Sequence, residues 1–130
     1  MEKEFIPYEQ ALALKELGFD EKCGACYYKK FDNEIGYHKV YRDFNFVSLT
    51  VSAPTFSQAF RWFREKYDLH GCIDLHCCTP PHWFIRIDKI DINDYLYHSE
   101  DENIQQYSLY KEAELECLIK LIEIVENKTK

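Results

Sequence analysis

The sequence predicts an α+β fold: an antiparallel sheet of about four strands, made of two hairpins and covered on one face by three helices, in the order α-β-β-α-β-β-α. Three observations predict it. Residues 7–17, 54–67 and 110–128 carry apolar residues at helical spacing, while the stretches between them alternate with period two around turn residues. The paired strands are joined by short turns, without room for a helical crossover, so they run antiparallel. The 130 residues hold no repeat, low-complexity run or Pro/Gly/Ser-rich linker, which reads as a single domain over 1–130.

Taken in order, "PYEQALALKEL" opens with Pro7 in its first turn and is followed by Gly18, the residue type that ends helices most readily. "ACYYKKFDNEIGYHKVY" (25–41) is two aromatic and β-branched runs around Asp32-Asn33, a hairpin signal. In "RDFNFVSLTVSA" (42–53) Val47, Leu49 and Val51 alternate as in a strand or extended connection. Thr55 and Gln58 then form a T-x-x-Q capping box, and Phe56, Ala59, Phe60, Phe63 and Tyr67 place an aromatic stripe on the core. Residues 70–78 and 83–90 alternate around "TPP" as the second hairpin. The acidic loop "HSEDEN" leads to the last helix, with Ser108 or a neighbour as its cap.

Composition narrows the function. Aromatic residues reach 16%, which argues for a packed core rather than disorder. A net charge of −7, from 23 acidic against 16 basic side chains, works against nucleic acid and anionic membranes as partners. No segment approaches a membrane span and the N-terminus has no apolar signal region, so the reading is cytoplasmic. In that setting the six cysteines read as free thiols, packing residues or metal ligands.

"FIPYEQALALKELGFDEKC", "APTFSQAFRWFREKYDLH" and "YKEAELECLIKLIEIVENK" together resemble a group of short uncharacterised proteins encoded by phages and prophages of gut bacteria. The resemblance covers the three helical blocks, half of the chain. That group has no established activity, cofactor or catalytic residue, so the resemblance implies a setting only: a phage or mobile-element accessory protein in a bacterial cytoplasm.

The densest chemistry lies in "HGCIDLHCCTPPHWFIRI" (70–87). Parity divides it: Ile73, Leu75 and Cys77 share one face with Trp83, Ile85 and Ile87, and His70, Cys72, Asp74, His76 and Cys78 share the other with His82, Phe84 and Arg86. A three-residue loop, 79–81, pairs Cys78 with His82 and Asp74 with Arg86, and predicts an Asp74–Arg86 ion pair on a solvated face. The alternative is a zinc site of His76, Cys78 and His82, completed by Cys72 or by Cys23 and Cys26, since zinc takes thiolate and imidazole ligands and C-x-x-C is a common half-site. With no cofactor as the leading expectation, zinc is the one cofactor weighed.

Three further candidates stand outside the hairpin. Trp62, flanked by Arg61 and Arg64, falls about 120° from the centre of the aromatic stripe, and is either an exposed binding residue, suited also to stacking on an unpaired base, or a tryptophan at the edge of the core under a loop. Glu114 falls inside the apolar arc of Leu115, Leu118, Leu121, Ile122 and Val125, either as a functional acid with a small-ligand or enzyme role, or as a first-turn carboxylate near solvent. Ala113, Cys117 and Ile124 widen that arc, as in a helix deep in the core or in a homodimer formed through 108–126. No G-x-S-x-G, Walker glycine loop or H-E-x-x-H is present. The reading is a small non-enzymatic protein that binds a host or phage protein.

Overall fold

The computed structural model describes residues 4–28, 34–42, 50–77, 80–90, 94–98 and 106–128. Its elements are α1 (Tyr8–Glu16), β1 (Cys23–Tyr28), β2 (Glu34–Arg42), β3 (Thr50–Ser52), α2 (Phe56–Tyr67), β4 (Leu69–His76), β5 (His82–Lys89), β6 (Asp94–His98) and α3 (Tyr110–Lys128). The fold is α+β, with three helices and antiparallel pairing throughout the described strands. Each hairpin carries a third strand. The described strands therefore group as β2-β1-β3 and β4-β5-β6, where the sequence predicted about four strands in one sheet. β3 falls inside the 42–53 stretch read as a strand or extended connection, while β6, five residues long, was not foreseen. The chain divides into two compact units, 1–58 and 59–130, with the boundary inside α2.

In the first unit α1 ends as its sequence dictates. Gly18 takes φ 96°, a left-handed conformation that costs glycine little. The Phe19 amide donates to the Leu14 carbonyl at 2.9 Å and the Gly18 amide to Lys15 at 3.1 Å, a Schellman closure in which Phe19 and Leu14 are both buried. β1 is the central strand, and Cys23, Ala25 and Cys26 are all fully buried, so it is covered on both faces. It starts two residues earlier than expected and swallows the C-x-x-C pair. Cys26 pairs with Gly36 and Tyr28 with Glu34. Asp32 and Asn33, the expected turn, lie outside the described residues.

The Tyr28 ring lies over Gly36, where a Cβ would stand 2.5 Å from Cε2. The Tyr27 hydroxyl donates to the Ile6 carbonyl at 2.7 Å, tying β1 to the segment before α1. Half of the predicted capping box forms: the Gln58 amide donates to Thr55 Oγ1 at 3.2 Å. The Gln58 side chain does not return to Thr55 for the other half and donates instead to the Lys22 carbonyl at 2.8 Å.

In the second unit Ala59, Phe60, Trp62 and Phe63 of α2 are buried. The helix stops at Asp68, φ 56°, where the Lys89 ammonium donates to the Tyr67 carbonyl at 2.9 Å and the Ile90 amide to Asp68 at 2.8 Å. α3 packs on β4 and β5. A Cβ on Gly71 would stand 2.8 Å from Cys117 Sγ and 3.1 Å from Leu121 Cδ1, so α3 approaches the sheet through the space a side chain would occupy. Leu69, Ile85, Ile87, Cys117, Leu118 and Leu121 are fully buried around this point.

The close approach also corrects the predicted arc of α3. Its buried residues are Ala113, Glu114, Cys117, Leu118, Leu121, Ile122 and Val125, while Leu115, Ile119 and Ile124 are half-buried. Cys117 sits at the sheet because Gly71 admits it, and the face turns from Leu115 toward Cys117. The helix spans the expected 110–128, and the Ala113 amide donates to Leu109, Ser108's neighbour.

Candidate functional site

The β4–β5 hairpin keeps the predicted parity with a different register. His76 pairs with His82, Asp74 with Phe84, Cys72 with Arg86 and His70 with Asp88, a shift of two residues from the expected alignment. An even shift leaves every side chain on its predicted face. The ladder stops at His76 and resumes at His82, and Pro80 and Pro81, without amide hydrogens, cannot extend it.

The predicted Asp74–Arg86 pair does not form. Arg86 stands opposite Cys72, and its Nε donates to Asp88 Oδ2 at 3.2 Å along the same strand. Asp88 holds the guanidinium above its ordinary pKa. Burial pushes the Cys72 thiol up, partly opposed by Arg86. A protonated thiol at neutral pH is a poor nucleophile and a poor metal ligand.

The zinc set weighed from the sequence is only partly within the described residues, since Cys78 lies outside them. Among the described residues no three His, Cys, Asp or Glu side chains come together to hold a metal ion. Cys23 and Cys26 are buried in β1 and not joined in a disulfide, and a three-residue separation sets them on opposite faces of the strand. A C-x-x-C chelates from a turn, and this one is in a central strand. Cys78 lies outside the described residues, as do most of 98–103. What the register does join is His76 and His82, with ring centres 4.9 Å apart. His82 is buried, His76 is exposed, and the Phe84 ring stands 6.3 Å from His76 on the same face.

Trp62 is 4% exposed, so of the two readings it belongs to the core and not to an exposed binding surface. Its indole meets the Phe63 ring at 5.1 Å and the Tyr67 ring at 5.4 Å, and the Lys66 ammonium stands 5.0 Å over it. Neighbours one, four and five positions along α2 enclose a large ring that the wheel put outside the stripe. Arg61 is exposed and Arg64 half-buried, so the three do not form an aromatic surface for an unpaired base. Glu114 is buried, and the Lys111 ammonium donates to its Oε1 at 3.0 Å from one turn earlier. Tyr110, beside it, has its phenol pushed up by burial and by the Glu114 charge.

A second grouping was not foreseen. On the apolar face, at the start of α3, Leu75 pairs with Trp83, and the Trp83 ring meets Tyr110, the first residue of the helix, edge-on at 5.0 Å. Trp83 also exchanges backbone hydrogen bonds with Tyr107, at 2.8 and 2.9 Å, which holds the start of α3 against β5. Leu75 is 46% exposed, Leu109 59% and Tyr110 43%. Cys77, the next residue of the same parity, is exposed too. Alternation assigns Leu75 to the core side correctly, yet the start of α3 leaves it exposed. The signal available in the sequence was Leu109-Tyr110, two apolar residues ahead of the helical arc in an otherwise polar approach.

The described part of the chain is thus an α+β protein with a polar histidine-bearing face and an open apolar end. Compared with known proteins, the chain matches no family model, no curated protein and no solved structure. No described helix is long and apolar enough to cross a membrane.

Proposed function

We propose that this chain is a non-catalytic protein-binding module whose contact surface is the open end formed by Leu75, Trp83, Leu109 and Tyr110. The observation that carries the reading is the exposure of Leu75 and Tyr110 beside the half-buried Trp83, with Leu109, next to Tyr110 in the chain, exposed as well. Contact residues of this kind are enriched in tryptophan and tyrosine, and a clustered apolar patch on a small protein marks an interaction surface. The strand pairing of Trp83 with Leu75 and Tyr107 fixes the cluster before a partner arrives, so little ordering entropy is lost on binding.

The partner is a host or phage protein, or a second copy of the chain. The homodimer expected through 108–126 uses an overlapping surface, because Leu109 and Tyr110 fall within that span. The resemblance of the three helical blocks to short phage and prophage proteins is what supports an accessory role in a bacterial cytoplasm. A supporting feature against a catalytic use of Glu114 is its pairing with Lys111 within its own helix.

A photoreactive residue at position 109, with position 123 as an exposed control on the same helix, tests the reading in cells. Cross-linking confined to 109 identifies the partner, and sedimentation of the pure protein reports a self-partner. With that partner purified, the Leu109→Ser/Tyr110→Ser variant is expected to bind at least about tenfold more weakly while keeping its thermal stability. Equal affinity, or equal cross-linking at 109 and 123, contradicts the proposal.

A further inference from the structure

The geometry points to a second site on the opposite face of the same hairpin: we propose that His76 and His82 form a cross-strand chelate for a zinc-like divalent cation. The two residues are direct partners in the β4–β5 ladder, so their side chains leave the same face from adjoining positions. Their ring centres are 4.9 Å apart with planes inclined at 49°. A zinc ion lies about 2.0–2.1 Å from an imidazole nitrogen, and two imidazoles on one tetrahedral ion therefore hold their ring centres about 5 Å apart. The 4.9 Å between the ring centres is compatible with that arrangement.

Position and environment support the same assignment. His82 is buried and begins β5, while His76 is exposed and ends β4, so one ligand is held by packing and the other meets solvent. Phe84 stands beside His76 and limits where its ring can turn. No third His, Cys, Asp or Glu among the described residues joins them. Two coordination positions are thereby left to water or to a donor arriving from outside, and affinity from this pair alone is modest. Binding requires both imidazoles to be neutral at the ligating nitrogen. The proposal is independent of the apolar end, which lies on the other face.

Zinc chloride titrated into the full chain, with the thiols kept reduced, and followed by the nitrogen and ring-proton resonances of the histidines tests it. The expected result is a saturable, joint movement of the His76 and His82 signals with one dissociation constant. His76→Ala, at an exposed position, should weaken the His82 response by at least about tenfold, the scale of loss seen when a metal's supporting groups are removed. His76→Gln guards against a local effect of truncation and should behave the same way. The proposal is overturned if the two rings stay unmoved up to millimolar zinc, if they titrate with different constants, or if the His82 response survives in both variants.

Discussion

The two ends of the apolar face of the β4–β5 hairpin are built from the same alternating pattern and end in opposite states. At one end Gly71 faces Ile87, Ile73 faces Ile85, and both β5 isoleucines are fully buried in the part of the sheet on which α3 packs. At the other end Leu75 faces Trp83 and stays 46% exposed. Period-two alternation decides the side of a sheet on which a residue stands. It does not decide whether anything is laid over that side. Coverage is set by where the helix can come close, and here a single missing side chain, at Gly71, sets it.

The difference between the ends gives the largest expected effect. Ile85→Ala should cost about 2–5 kcal/mol in a denaturant melt, the range for a truncated core isoleucine. Leu75→Ala, from the same face and two rungs away, should stay within about 0.5 kcal/mol of the parent. Similar losses at the two positions would erase the distinction.

A sharper break targets the approach point. Gly71→Ala drives a methyl into Cys117 and should cost about 1–3 kcal/mol. Combined with Cys117→Ala, the loss should be smaller than the sum of the two, with a coupling of about 0.5–3 kcal/mol as for residues in contact. Simple additivity in the double variant would show that α3 is not seated on Gly71.

The thiols separate in the same way. Burial pushes Cys117 from the usual 9 up to about 12 in the folded chain. A pKa raised by folding contributes stability that is fully present below pH 9 and is lost as the pH climbs toward 12. The pH profile of stability should therefore fall across that window, and Cys117→Ala should flatten part of the fall. With iodoacetamide at neutral pH, exposed Cys77 should be alkylated while Cys23, Cys26 and Cys117 react only on unfolding. The smallest effect belongs to the solvated face: Asp88→Asn should cost a few tenths of a kcal/mol through its pair with Arg86, because exposed pairs contribute little.

Much of this was legible in the residues. The bounds of α3, the Gly18 stop, the Thr55 cap and both faces of the second hairpin follow from periodicity and turn chemistry, since each is local. What local pattern misses is distance. The register of β4 against β5 depends on how two prolines open a connection, and a slip of two changes every partner without moving any residue to the other face. Trp62 is enclosed by its own helical neighbours, which a wheel of Cα directions does not show. Trp62 is buried, so the proposed contact rests instead on Leu75, Trp83, Leu109 and Tyr110, and of the metal set weighed from the sequence His76 and His82 are strand partners while Cys78 lies outside the described residues.

Hydroxyl-radical labelling of the folded protein, read residue by residue by mass spectrometry, tests most directly that one face is sealed at one end and open at the other. The account predicts ready oxidation of Leu75, Leu109 and Tyr110, with Ile85, Ile87 and Leu118 protected until the chain unfolds. Equal protection of the two groups would mean that the chain covers the Leu75–Trp83 end itself, and the binding surface proposed there would not exist.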